Sequence, residues 1–226
     1  MKICFVKNGN LNSVWQNNLK SLTNNDVVVF GFNGLGLVSY KKELSGETEY
    51  FSDLAKLSKQ LSCVIISGCD TDTYGIFRHS AVIGDKGKIL GVSDMLHSID
   101  DSEYVAGGNY RVYDTSAGKI GIIISEDIYF PESPRILSLC DADIIICVMK
   151  SVDNGMPQIM LRSGAFANGI NMCLCAENLV TVADIKGNIK LFTRKDLSHI
   201  DLKTEKDYHL ISCRRRGMYK EFNSGY

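Results

Sequence analysis

Residues 118–133 read GKIGIIISEDIYFPES, and this stretch says more about the fold than any other part of the chain. Its apolar run, Ile120 to Ile124, is continuous rather than alternating, which is typical of a strand buried on both faces. The residues before it, YRVYDTSAG (110–118), form a second strand-like segment that ends in a turn signal. The stretch therefore predicts a β-hairpin whose second strand ends at Ser125.

Apolar runs of the same kind alternate with segments of helical period along the rest of the chain. The other predicted strands are KICFV (2–6), VVVF (27–30), CVIISG (63–68), ADIIICVM (142–149) and NMCLCA (171–176). Two more hairpins are predicted at 80–92 and 180–192, and helices at 11–22, 51–61, 134–139 and 157–168. This mixture favours an α/β sandwich with mixed sheets. No linker composition divides the chain, so a single domain is expected.

Composition and charge narrow the classes of function. Hydrophobic residues make up 45% of the 226 residues and charged residues 23%, as in an ordinary globular protein. The 25 basic and 26 acidic side chains nearly cancel, which argues against a nucleic-acid-binding protein with a clustered basic surface. The one basic run, Arg214 to Arg216, is interpreted as a solvated strand end or a subunit contact.

The eight cysteines and four histidines give no recognisable disulfide or zinc pattern. Five cysteines lie in apolar runs, where cysteine behaves as a small hydrophobic residue: Cys4, Cys63, Cys147, Cys173 and Cys175. The histidines are dispersed, and Cys173-x-Cys175 lacks the spacing of a structural zinc site. No apolar run approaches the roughly 20 residues of a membrane-spanning helix, and no signal-peptide core is present. We therefore expect a reduced, cytoplasmic protein without metal, cofactor or membrane attachment.

Four stretches resemble the nitrilase superfamily of carbon–nitrogen hydrolases, in the same order and spacing. They are DVVVFGFNGLG (26–36), HSAVIGDKGKILGVSDMLH (79–97), GKIGIIISEDIYFPES (118–133) with CDADIII (140–146), and LRSGAFANGINMCLCAEN (161–178). The resemblance implies one four-layer α-β-β-α sandwich, which we assign to residues 1–226. It also implies pairing into homodimers, and the segment of about 203–226 is expected to form a dimer or tail contact.

The superfamily's chemistry uses a glutamate base, a lysine that stabilises an oxyanion, and a cysteine nucleophile. Transferred by position, these three fall on Phe32, Met95 and Ser125. A phenylalanine accepts no proton, a methionine carries no charge, and a serine hydroxyl is a poor nucleophile without a base. The resemblance thus implies a homologue that is inactive by the family mechanism and acts in small-molecule binding or assembly.

Two alternatives remain open. One is an amide or nitrile hydrolase with rebuilt chemistry, in which Ser125 uses the retained His97 beside the retained Asp127. Glu126 is a weaker base candidate, because in an extended strand its side chain would point away from that of Ser125. The other is an interaction module with an exposed apolar face. We expect the apolar replacements to fill the old pocket with side chains, and an open space around Ser125 would instead favour binding.

Overall fold

The computed structural model of the chain describes residues 1–99 and 103–215 and contains two β-sheets. Strands of the first sheet are β1 (Lys2–Val6), β2 (Val27–Phe30), β3 (Gly36–Ser39), β4 (Val64–Thr73), β5 (Ile76–Asp85), β6 (Lys88–Asp94) and β13 (Leu197–Asp201). Strands of the second are β7 (Val112–Thr115), β8 (Gly118–Ile124), β9 (Ile144–Met149), β10 (Asn171–Ala176), β11 (Val180–Ala183) and β12 (Ile189–Thr193). Each sheet combines parallel and antiparallel pairs, which confirms the predicted mixed sheets.

Helices cover the outer face of each sheet. They are α1 (Leu11–Leu22), α2 (Tyr40–Ser45), α3 (Tyr50–Leu61), α4 (Glu132–Leu139), α5 (Met156–Asn168) and α6 (His209–Ser212), and a 3₁₀-helix spans Ser125–Tyr129. Before α1, the Asn10 side chain accepts hydrogen bonds from the backbone N–H groups of Asn12 and Ser13, which stabilises the first turn. The four predicted helices are confirmed, although α4 begins at Glu132 rather than Pro134.

Three apolar layers hold the sandwich together. The central layer lies between the sheets and includes Phe5 of β1 and Ile122 of β8. A second layer joins α1 and α3 to the outside of the first sheet through residues such as Leu54. A third joins α4 and α5 to the outside of the second sheet through Leu137 and Leu161. Each such buried side chain contributes about 1.5–3 kcal/mol, so the helix–sheet–sheet–helix order follows from apolar burial.

The buried cysteines belong to these layers and carry no reactive thiol. All five cysteines predicted to be buried are buried, as is Cys69, whereas Cys140 and Cys213 are exposed. Burial raises the pKa of Cys4, Cys63 and Cys175 to about 12, which keeps those thiols neutral. Over the ranges 1–99 and 103–215, no group of three or more metal-ligating side chains is placed to hold a metal ion. No helix in those ranges is long and apolar enough to cross a membrane.

A glycine-rich turn after β2 places Phe32 against the first sheet. A Cβ on Gly34 would overlap Ser67 Oγ, and one on Gly68 would lie 2.6 Å from Val148 Cγ1 and 3.1 Å from Phe32 Cα, so neither position has room for a side chain. The chain then continues into β3 and α2, neither of which was predicted. Close backbone packing at this turn therefore fixes the position of Phe32 just beyond the end of β2.

The chain after β13 packs on the second sheet as far as the structure describes it. The Asp207 N–H donates to Gly169 O at 2.8 Å, and Lys206 Nζ lies 2.8 Å from both Asp141 Oδ1 and Asp143 Oδ1. Arg214 follows helix α6, so the predicted strand end at the basic run is wrong. Residues 216–226, which include Arg216 and most of the expected dimer or tail contact, lie outside the described residues.

Candidate active site

Ser125 lies where β8 ends and the 3₁₀-helix begins. Its φ of +47° is in the left-handed region, which costs a non-glycine residue roughly 1–3 kcal/mol and persists where the surrounding structure enforces it. Strained strand-to-helix turns of this kind present a nucleophile at the top of a sheet in serine hydrolases. The side chain lines a cavity of about 230 Å³, although the residue is only 6% exposed. The fold therefore places the Ser125 side chain at the wall of a small cavity.

The positions expected for the base and the cation hold buried apolar side chains. Phe32 is 3% exposed and Met95 is 2% exposed, and both belong to the layer between the two sheets. Met95 forms part of the cavity wall, whereas the Phe32 ring meets the His79 ring edge-on with 5.8 Å between centroids. The expectation that side chains fill the pocket is wrong, because these two pack into the core and leave the space beside Ser125 open.

Glu126 lines the same cavity as Ser125, contrary to the expectation that it points to the other face. That expectation assumed an extended strand, and residues 125–129 form a 3₁₀-helix, in which neighbouring side chains do not alternate. Glu126 Oε2 accepts a hydrogen bond from the Ile99 N–H at 2.7 Å. The carboxylate is therefore held at the cavity wall.

His97 and Asp127 form a pair that holds a loop to the second sheet. His97 Nδ1 lies 2.8 Å from Asp127 Oδ1, and the His97 N–H donates to that oxygen at 2.9 Å. The Leu96 N–H donates to both carboxylate oxygens at 3.1 and 3.0 Å. Burial raises the pKa of Asp127, although the hydrogen bonds from Leu96 and His97 act in the opposite direction. Ser125 makes no hydrogen bond to His97 within the described residues, so the structure does not bring these two candidates together.

A second histidine–aspartate pair lies at the cavity itself, and sequence reasoning missed it. His79 Nδ1 lies 2.6 Å from Asp70 Oδ1, and Lys150 Nζ lies 3.0 Å from Asp70 Oδ2. The Tyr104 hydroxyl donates to Asp70 Oδ2 at 3.3 Å, and its ring stacks on that of His79 with 3.7 Å between centroids. We refer to Asp70, His79, Tyr104 and Lys150 as the lysine cluster. Two of its members, His79 and Lys150, line the cavity beside Ser125.

Electrostatics keep two members of the lysine cluster, Lys150 and Asp70, charged. Burial lowers the pKa of Lys150, but the hydrogen bond and charge of Asp70 outweigh it and the net shift is upward. Burial raises the pKa of Asp70, but the hydrogen bonds from His79 and Lys150 outweigh it and the net shift is downward. Both groups are therefore ionised at neutral pH. The cavity has an ammonium group at Lys150, although the position expected for the family lysine holds Met95.

Strand pairing explains how the lysine cluster assembles. Asp70 of β4 lies directly opposite His79 of β5 in the antiparallel register. Lys150 immediately follows β9, which runs parallel to β8 and so ends beside Ser125. A signal was present in the sequence, since Lys150 is a charged residue directly after a fully buried strand. Asp70 and Tyr104, by contrast, lie outside every predicted strand or helix.

Comparisons with known proteins agree on the fold. A sequence model of the carbon–nitrogen hydrolase family matches residues 13–208. A protein described as a probable nitrilase from Schizosaccharomyces pombe is 28% identical over 110 residues, which cover 46% of this chain and 40% of that protein. A carbon–nitrogen hydrolase from Helicobacter pylori G27 superposes with a TM-score of 0.78 at 19% identity, over 100% of this chain and 99% of the other.

An amidase from Nesterenkonia sp. AN1, called NitN, is similar in structure to the same extent. Its TM-score is 0.79 at 14% identity, over 98% of this chain and 99% of the amidase. One structure of the Nesterenkonia amidase is described as showing acrylamide added to its active-site cysteine. All eight cysteines of the present chain lie within the described residues, and none of them lines the cavity beside Ser125.

Proposed function

We propose that this chain, which belongs to the carbon–nitrogen hydrolase family, binds a small molecule in the cavity beside Ser125 and does not carry out thiol-dependent hydrolysis. One observation carries the proposal. The cavity is not filled by side chains, and Ser125 lines it. The positions expected for the base and the cation hold Phe32 and Met95, which are buried in the core.

The chemical argument concerns residues that act as a unit. A thiol or hydroxyl attacks a carbonyl carbon only when a base takes its proton and a cation or N–H group stabilises the oxyanion. Removing one member of such a unit costs about as much as removing all, on the order of 10⁶-fold in rate. With the thiol, base and cation positions all replaced, the thiol mechanism has no remaining support in this chain.

The cavity nevertheless retains what a binding site needs. Its volume of about 230 Å³ is room for roughly eight water molecules, and its lining combines charged, hydroxyl and apolar groups. A few convergent polar groups in a concave site fix the orientation of a small ligand. Small-molecule binding is therefore the function that the cavity beside Ser125 supports best.

An assay of ammonia release tests the proposal. The purified protein is incubated with a panel of aliphatic amides, nitriles and carbamyl compounds, with the Nesterenkonia amidase as a positive control. We expect no release above background from the wild type or from Ser125→Ala. Release by the wild type that Ser125→Ala abolishes would contradict the proposal.

A second candidate function, a hydrolase rebuilt around Ser125, is favoured by the lysine cluster. Asp70 orients the His79 imidazole as a carboxylate orients a general base, and His79 lines the cavity together with Ser125. His97, the base expected from the sequence, is held by Asp127 through Nδ1 in the same way, but it is not among the residues that line the cavity. If ammonia is released, His79→Gln and His97→Gln identify the base: loss in the first alone supports His79, and loss in the second alone supports His97.

Pairing into homodimers stays a prediction for this chain. Exposed apolar side chains on α4 and α5 offer a surface that a second copy could cover; they are Ile136, Leu139, Ile159 and Phe166. Multi-angle light scattering across a concentration series measures the mass directly. A monomer at the highest concentration would contradict the prediction, and would also weigh against a role as an interaction module.

A further inference from the structure

The cavity beside Ser125 is lined by charged groups of opposite sign. Lys150 supplies an ammonium group, and Glu126 and Asp153 supply carboxylates. A ligand with a single charge is attracted to one side and repelled by the other. A fully apolar ligand covers the donor and acceptor sites that these groups have left unused, which costs free energy. The lining therefore selects a ligand that carries both signs of charge.

Lys150 has hydrogen-bonding capacity to spare. An ammonium group has three N–H donors, and its partners in the lysine cluster are Asp70, at 3.0 Å, and the Tyr104 oxygen. The Tyr104 ring centroid lies 4.9 Å from Lys150 Nζ and the Phe32 ring centroid 5.9 Å, so aromatic faces support the ammonium group. The side chain is 43% exposed. A third N–H can therefore meet a carboxylate oxygen in the cavity.

Ser125 offers a second donor on the same cavity. Its hydroxyl has no hydrogen-bond partner in the described part of the chain, and Ser125 and Lys150 both belong to the cavity wall. A carboxylate has two oxygens and about four acceptor sites, so it can accept from a hydroxyl and an ammonium group together. Charge-assisted hydrogen bonds of this kind are about twice as strong as neutral ones.

Glu126 supplies the complementary acceptor. The Ile99 N–H donates a hydrogen bond to Glu126 Oε2 at 2.7 Å, which holds the carboxylate in place. The other oxygen, Glu126 Oε1, accepts no hydrogen bond from any described residue. Asp153 accepts from the Ser151 hydroxyl at 2.9 Å and is exposed. A ligand ammonium group can therefore meet Glu126 Oε1, with the charge of Asp153 adding to the attraction.

Volume limits the size of the ligand. A space of about 230 Å³ holds the equivalent of roughly eight waters, which matches a ligand of a few heavy atoms. Two methionines, Met95 and Met149, contribute an apolar part of the wall. A short side chain on the ligand would pack there without needing a polar partner.

We propose that the cavity binds a small α-amino acid as a zwitterion, with its carboxylate on Lys150 and Ser125 and its ammonium group on Glu126. This inference rests on the proposed binding function and narrows it to one chemical class. The binding function and the amino-acid ligand can fail separately. If the cavity binds a neutral amide but no amino acid, the binding function stands and the proposed ligand class is wrong.

Isothermal titration calorimetry of the full chain tests the inference with four probes of similar size: alanine, propionate, ethylamine and propionamide. We expect alanine to bind at least tenfold more tightly than each of the others, since only alanine engages both charges. Lys150→Met and Glu126→Gln should each weaken alanine binding at least tenfold. Lys150→Arg, which keeps the charge, should weaken it less than Lys150→Met.

Lys119→Met is the matched control, because Lys119 pairs with Asp141 on an exposed surface and does not line the cavity. It should leave alanine binding unchanged, and thermal melts confirm that each variant is folded. Equal affinity for propionate and alanine would overturn the inference, as would equal alanine affinity in Lys150→Met and Lys119→Met, or binding of none of the four probes. Release of ammonia that depends on Ser125 would overturn the non-catalytic function instead.

Discussion

Two histidine–aspartate pairs lie close to Ser125, and they have nearly the same geometry but different surroundings. The ring-to-carboxylate distance is 2.8 Å for His97 and Asp127 and 2.6 Å for His79 and Asp70. The Asp127 carboxylate is 1% exposed and is bound by backbone N–H groups, whereas that of Asp70 is 19% exposed and is bound by Lys150. The first pair therefore holds a loop, and the second places charge at a cavity. A histidine–aspartate distance alone identifies neither role.

Of three substitutions in the two pairs, Asp127→Asn should cause the largest loss of stability. Asp127→Asn substitutes an NH₂ group for one oxygen that accepts N–H donors, at a site with almost no access to water. A buried N–H group left without an acceptor costs about 1–3 kcal/mol, and two backbone N–H groups donate to Asp127, so we expect the free energy of unfolding to fall by about 3 kcal/mol. Urea denaturation followed by circular dichroism measures the loss. A loss below about 1 kcal/mol would show that the Leu96 and His97 N–H groups find other partners.

His97→Gln should have a smaller effect at the same pair. The variant removes the ring contact to Asp127 and the stacking on Phe130, where the centroids lie 3.8 Å apart, but it keeps both backbone donors. The His97 side chain is 36% exposed, which reduces the contribution of its contact with Asp127 to stability. We expect a loss of about 1–2 kcal/mol by the same denaturation assay. A loss as large as that of Asp127→Asn would mean that the imidazole, not the backbone, anchors the loop.

Asp70→Asn should have the smallest effect on stability at neutral pH, about 1 kcal/mol, because solvent screens Lys150. The folded pKa of Asp70 lies below its ordinary value of 3.8, so its contribution is fully present above that value. The contribution is lost as pH falls through the folded pKa. The stability difference between Asp70→Asn and wild type should therefore stay constant from pH 7 to about pH 5 and shrink as the pH falls below about 4. A difference that grows on acidification would contradict the assigned direction of the shift.

The sequence predicted the layers well, because local periodicity carries that information. Continuous apolar runs such as Ile120 to Ile124 became buried strands, although this strand ends at Ile124, one residue before the predicted end at Ser125. The 3₁₀-helix after Ser125 was not predictable, since a positive φ at a serine is imposed by tertiary packing rather than by propensity. The same limit explains why Glu126 was placed on the wrong face.

The lysine cluster was beyond sequence reasoning for a different reason. Asp70 meets His79 through a strand register, and Lys150 reaches Asp70 only because the two sheets pack against each other. Contacts between sheets join residues far apart in sequence, and no local pattern encodes them. The family resemblance located Phe32, Met95 and Ser125, but it could not indicate that a cation enters the cavity from another strand.

The most direct test of the central claim is whether Ser125 reacts as a nucleophile. Intact-mass spectrometry after incubation with p-nitrophenyl acetate detects an acetyl group on the protein, and peptide mapping locates it. We predict no acetylation at Ser125, with the wild type and Ser125→Ala gaining the same number of acetyl groups. An acetyl group that maps to Ser125 in the wild type and disappears in Ser125→Ala would contradict the claim that the nucleophilic chemistry has been lost.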